Sequence, residues 1–194
     1  MRSVDHDKDQ VELVYELNQL FLSFLSNRVQ RGLDCLGLSG AARDALRTAP
    51  QAVLEELGRF PRSLFRVQFD LRSNHRVMVN EDDSAVYFRQ ALQLGLIYNV
   101  WHVCRSNTYH ARLYFGLSNA EVLKLRTTPL KELHHLATCA ELVVCAFAHA
   151  DWLWHELLTE TRPEHRRQLA LIGLQPTLPS TRRLMGNLDR RFSL

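Results

Sequence analysis

The chain carries none of the short signatures of covalent or cofactor-dependent chemistry: no G-x-S-x-G, no Walker loop, no H-E-x-x-H and no G-x-G-x-x-G. A non-enzymatic role without a cofactor is therefore expected. Cysteine is sparse and irregularly placed, at Cys35, Cys104, Cys139 and Cys145, with no C-x-x-C. That spacing argues against a zinc ribbon or a disulfide framework and suits a reduced, cytoplasmic protein. The N-terminal MRSVDHDKDQ has no apolar stretch of the kind a signal peptide needs. The longest apolar run, Leu142–Ala148, is too short to cross a bilayer, so no membrane association is expected. With 46% apolar residues, the composition is that of an ordinary globular protein.

What the chain does contain is a repeat. Gly37–Leu57 (GLSGAARDALRTAPQAVLEEL) and Gly116–Leu136 (GLSNAEVLKLRTTPLKELHHL) align without a gap when Gly37 is set on Gly116, and ten of twenty-one positions are identical. They include Gly37/Gly116, Leu38/Leu117, Ser39/Ser118, Arg47/Arg126, Thr48/Thr127 and Pro50/Pro129. So long a period predicts two copies of a small domain rather than a solenoid.

Each copy reads as a long helix, a Gly-Leu-Ser turn, a short helix, a Thr-x-Pro break and a second short helix. In copy one, Val11, Val14, Leu17, Phe21 and Phe24 fall three or four apart on one stripe, and Gly32 ends or bends that helix. In copy two the stripe is Phe88, Leu92, Leu96, Val100 and Val103, after a linker whose Ser84 is the expected N-cap. Ser39 and Ser118 are expected N-caps, and Ser118 with Glu121 forms a capping box. Thr48 with Pro50 and Gln51, and Thr127 or Thr128 with Pro129, are expected to cap the second short helices. Phe65, Val67, Phe69 and Leu71 alternate with polar residues as in a half-buried strand. The corresponding Leu142–Ala148 reads equally as strand or helix, and a second short strand is possible at Arg76–Asn80.

Residues 1–10 form a polar N-terminal segment, of which 1–9 are expected to fray. The repeats then occupy residues 11–80 and 81–160, and a basic tail follows at 161–194. That tail holds seven arginines against Glu164 and Asp189, an excess above the whole chain's net +3. Such asymmetry points to a polyanionic partner or to a solvated helix face. Thr161 and Glu164 open a further helix to about Ile172. Gln175–Pro179 is a break, after which Ser180 can cap a last basic segment.

Three side-chain groups bear on function. The short helices around each Gly-Leu-Ser turn are spaced like a helix-turn-helix, with Arg43 and Arg47 in copy one and Lys124, Arg126 and Lys131 in copy two able to meet phosphates. The tail arginines Arg166, Arg167, Arg182, Arg183, Arg190 and Arg191 are further phosphate candidates. His135/Cys139 and Cys145/His149, beside His134 and His155, would share helix faces and reach a zinc ion if both segments were helical. Copy one has Glu56, Phe60 and Arg66 in place of His135, Cys139 and Cys145, so buried structural cysteines are the preferred reading and no metal is expected. Trp152 and Trp154 read as core or interface packing.

Copy one also resembles the FlhD family, subunits of the bacterial flagellar master regulator. The likeness runs through Tyr15, Leu17 and Asn18, then Gly37 and Leu38, then Pro50, and ends at Phe69 and Asp70. It covers copy one well, with a final helix over Asp82–Asn99, and copy two more loosely. The resemblance implies a mainly helical, dimerising fold and transcriptional activation of promoter DNA beside a zinc-bearing FlhC-like partner. Related regulator pairs on conjugative elements control transfer genes. Since the family is much shorter than this chain, the two copies are expected to pack as an intramolecular pseudo-dimer, itself open to higher homo- or hetero-oligomers. Leu17, Phe21 and Phe24 would face Leu92, Leu96 and Val100 between the repeats. The family can use a strand cysteine in an intersubunit disulfide. Arg66 takes that place in copy one and Cys145 lies near it in copy two, so that link cannot form here. The alternative function is a protein-only adaptor or assembly factor of a secretion or conjugative-transfer apparatus.

Overall fold

The computed structural model describes residues 3–38, 40–68, 82–138, 142–147, 150–162, 164–166 and 168–169, with backbone alone at 3–7 and 151. The described chain is mainly helical with one small two-stranded sheet. Copy one supplies α1 (Ser3–Gln30), α2 (Gly40–Thr48), α3 (Gln51–Gly58) and β1 (Phe65–Val67). Copy two supplies α4 (Asp83–Ser106), α5 (Thr108–Phe115), α6 (Asn119–Thr127), α7 (Leu130–Ala137), β2 (Val143–Cys145) and α8 (Asp151–Thr159). Under the repeat alignment that sets Gly37 on Gly116, the bounds of α2 and α3 become those of α6 and α7.

Local chemistry accounts for most helix ends. At Gly32, with φ 73°, α1 closes in a Schellman pattern: the Leu33 N–H reaches Arg28 O at 2.9 Å and the Gly32 N–H reaches Val29 O at 3.1 Å. The capping box at α6 forms as expected, the Ser118 N–H donating to Glu121 Oε2 at 2.7 Å and the Glu121 N–H to Ser118 Oγ at 3.3 Å. The threonines behave otherwise. Thr48 and Thr127 donate back to carbonyls in their own helices, at 3.2 Å to Asp44 O and 3.1 Å to Leu123 O. They therefore finish α2 and α6 instead of capping α3 and α7, whose N-caps are Pro50 and Pro129 in extended backbone. Likewise Asp82, not Ser84, caps α4 by accepting the Ala85 N–H at 2.6 Å.

Two further expectations are corrected, and an open reading is decided. The helix begins at Ser3, because no glycine or proline interrupts the polar segment before Val11. Asn107 stops α4, and its side chain accepts the N–H groups of Tyr109 and His110, creating the helix α5 that the sequence reading lacks. The stretch Asp151–Trp154 is the first turn of α8, with Trp154 buried and Trp152 exposed. Ser39, Phe69–Glu81, Cys139, His149 and the segment from Ala170 onward, with its expected break at Gln175–Pro179 and cap at Ser180, lie outside the described residues.

The sheet is the seam between the two halves of the chain. Antiparallel β1 and β2 place Phe65 opposite Cys145, Arg66 opposite Val144 and Val67 opposite Val143. This settles Val143–Cys145 as strand. Around it α1 packs on α2 and α3, while α4 packs on α5, α6 and α7. Phe21, Phe65 and Phe115 form an aromatic line through the centre, with ring centroids 5.6 and 6.0 Å apart. Leu17, Phe21, Leu92, Leu96 and Val100 are buried in this shared core, and Phe24 packs against its edge. Each such side chain contributes roughly 1.5–3 kcal/mol on burial.

Hydrogen bonds from a buried side chain and from the backbone fix the seam. Asn18, fully buried in α1, donates to Phe60 O at 3.2 Å and Arg62 O at 3.0 Å and accepts the Leu64 N–H at 2.8 Å. Across the copies, the Ser63 N–H reaches Tyr114 O at 2.8 Å and the Cys145 N–H reaches Leu36 O at 2.9 Å. Finally α8 crosses from copy two to lie on α2 and α3 of copy one.

Candidate nucleic-acid interface

The Gly-Leu-Ser unit is a helix-turn-helix only in copy two. There α5 ends at Gly116, whose φ of 65° suits glycine, and Gly116-Leu117-Ser118 turns directly into α6. A side chain at Gly116 would also collide with the Arg62 guanidinium of the other copy. In copy one, residues 33–38 are turn and irregular chain, so α2 has no preceding short helix.

Val122 and Leu125 turn α6 inward onto α4, which leaves Asn119, Leu123, Lys124 and Arg126 exposed. Arg112 on α5 and Lys131 on α7 are exposed beside them. The break between α6 and α7 is held to α4 by Trp101, whose indole N–H donates to Thr128 O at 3.0 Å. Arg126 and Lys131 have no ion-pair partner among the described residues. The acidic neighbour Glu121 is already committed to the capping box and to Arg66, 3.4 Å away. Burial pushes the Glu121 carboxyl up, but the Ser118 N–H, the Ser118 hydroxyl and Arg66 outweigh it and hold it below its ordinary value.

The copy-one counterparts are placed differently. Arg43 is half-buried beside Cys35, and exposed Arg47 lies 3.7 Å from Asp44. The covering by α8 explains part of this. On copy one, which α8 covers, Ala45, Ala49 and Val53 line a cleft with Leu158 and Thr159, and Ala42 is fully buried one turn earlier on α2; all are small residues that allow close helix approach. The equivalent positions on copy two are Lys124, Thr128, Glu132 and Glu121. One copy's short helices are thus sheathed and the other's are charged and open.

Of the tail arginines expected to meet phosphates, the one within the described residues is turned inward. Arg166 is only 8% exposed, pairs with Glu56 of α3 and donates to Glu160 O. Expected as a phosphate contact, it acts here as a structural clamp, its two terminal nitrogens taken by Glu56 and the Glu160 carbonyl. Arg167, Arg182, Arg183, Arg190 and Arg191 lie outside the described residues. Cys35, Cys104 and Cys145 are buried thiols, while His134 and His135 are exposed. Among the described residues no cluster of three His, Cys, Asp or Glu side chains could hold a metal ion, and no helix is long and apolar enough to cross a membrane.

Comparison with protein-family models, with curated proteins and with solved structures finds no match.

Proposed function

We propose that the chain is a transcriptional regulator, an activator subunit that meets promoter DNA through α5, the Gly-Leu-Ser turn and α6, with Lys131 alongside. The observation that carries this reading is the open basic face of copy two. Lys124 and Arg126 project from the second helix of a helix-turn-helix, whose exposed side enters the major groove in proteins of that design. Arg112 and Lys131 flank it where phosphates would run.

Two FlhD-like copies packed as an intramolecular pseudo-dimer provide the frame. The sheet register supports this. The repeat alignment carries Phe65 forward onto Val144 and Cys145 back onto Arg66, and Val144–Arg66 is itself a pair in the sheet. A two-fold relation between the strands has that property. On the FlhD resemblance, a second cytoplasmic protein of the FlhC type completes the activator.

The test is binding to DNA from the gene's own upstream region, with and without the product of the adjacent gene, at two salt concentrations. A complex that weakens steeply with salt supports the reading, since each phosphate contact adds about −0.9 to the slope of log K against log salt. DNA left unshifted at low salt under both conditions sinks it. A stable protein pair indifferent to DNA would instead favour the adaptor.

A further inference from the structure

Helix α4 is apolar on both sides, and the outer side is covered only in part, where Trp101 donates to Thr128 O and Leu94 leans on the core. Its inner face, with Leu92, Leu96, Val100 and Val103, is buried. Directly opposite run Tyr87, Ala91, Leu94, Tyr98, Trp101 and Arg105, at alternating steps of four and three. Tyr87 is 69% exposed and Tyr98 46%, while Leu94 and Trp101 are half-buried. That spacing is a coiled-coil seam, about 27 Å long at 1.5 Å per residue. The fold does not demand it, because the equivalent positions on α1 include Lys8, Glu12, Gln19 and Ser26. The ridge is also prearranged, with Tyr98 and Trp101 ring centroids 5.8 Å apart and the Arg105 guanidinium 4.8 Å over the Trp101 ring.

We infer that this ridge docks against the same ridge of a second copy of the chain, with the two α4 helices antiparallel. Three observations select that occupant. The first is size: antiparallel layering centred between Leu94 and Tyr98 sets Ala91 against the partner's Trp101, Leu94 against the partner's Tyr98 and Tyr87 against the partner's Arg105. Small thus meets large and a ring meets a guanidinium.

The second is charge. Asp83 stands exposed at the start of α4, beside Asp82, which pairs with Arg31 at 2.8 Å, and Arg105 stands exposed near its end. Antiparallel packing brings opposite charges together, whereas parallel packing would stack like on like. The third is Gly95, in the middle of α4 beside the centre of the ridge. A Cβ there would meet nothing within 4 Å, so no contact within the chain calls for a glycine that weakens the helix. Close approach of a second helix does call for it. On the same flank Phe88 lines an apolar groove of about 510 Å³ with Leu20, Phe24 and Leu92, which extends the contact onto α1.

Sedimentation equilibrium of the full chain, from the micromolar range upward, is the test. The wild-type chain is expected to dimerise. Gly95→Gln should weaken the dimer at least tenfold while leaving thermal stability equal or higher, because the new side chain has room and favours the helix. Tyr98→Glu should weaken it by about thirtyfold, the cost of losing one hot-spot side chain, with the helical circular-dichroism spectrum unchanged. A wild-type chain that is monomeric throughout overturns the inference. So does a dimer that both variants leave intact, since it would then use another face.

Discussion

Asn18 of α1 accepts the backbone N–H of Leu64 at 2.8 Å, and through its amide it also holds the carbonyls of Phe60 and Arg62. One side chain thus pins the chain that leads from α3 into the seam strand. Replacing Asn18 with leucine keeps the apolar fit of the helix but strands buried backbone groups. The expected loss is about 2–4 kcal/mol in urea unfolding, larger than for a substitution at exposed Ser23. A loss under about 0.5 kcal/mol would mean that water replaces the amide and that the clamp is unimportant.

Arg166 and Arg126 make a paired prediction, since the sequence alone reads both as phosphate contacts. Arg166→Ala should lower stability by about 1–2 kcal/mol, between exposed and fully buried pairs because Glu56 is half-exposed, and leave the salt slope of DNA binding unchanged. Arg126→Ala combined with Lys131→Ala should leave the melting temperature within a degree or two and flatten the slope by about two units. The reverse assignment of effects would move the interface to the tail.

The contrast shows where sequence reading ends. The Ser118–Glu121 box, the Gly32 stop and the period-two strand at Phe65 are local, written in residues at most a few positions apart. The fate of an arginine is not local. Arg166 is buried because Glu56 waits 110 residues away, and nothing in Arg166-Arg167 announces it. The threonines before Pro50 and Pro129 fit two hydrogen-bond schemes, and only the helix carbonyl within reach decides between them. The outer ridge of α4 is legible as a heptad, yet the inner stripe satisfies the same helix and draws the eye first.

Burial pushes the Cys104 thiol from its ordinary 9.0 up to about 12, with Arg126 opposing part of the rise. A thiol with a raised folded value favours the folded state while the unfolded chain keeps its proton. That stability is fully present below pH 9 and is lost as pH climbs toward 12, at no more than about 1.4 kcal/mol per pH unit. Cys104→Ala should remove this part of the alkaline loss, measured by urea unfolding at successive pH values. At neutral pH the wild-type Cys104 should react with a thiol probe only after denaturant is added. Rapid labelling at Cys104 itself in the native chain, located by peptide mapping, would contradict its burial.

The sheathing of copy one predicts the consequence of making it resemble copy two. Ala42 is fully buried on α2, the helix on which α8 packs, and its counterpart is Glu121. Ala42→Glu would force a carboxylate into a face of Ala45, Ala49 and Val53, side chains that offer it no hydrogen-bond donor. Undocking α8 is then cheaper than burying the charge, so Trp154 and its bond to Ala146 O become exposed. A loss of several kcal/mol and a red shift of tryptophan emission are expected, partly reversed at low pH when the glutamate takes up a proton. The mirror change, Lys124→Ala on the open face of copy two, should leave stability within about 0.5 kcal/mol and weaken DNA binding alone. If instead both substitutions were silent in stability, α8 would not be held by the alanine face, and the asymmetry between the copies would need another cause.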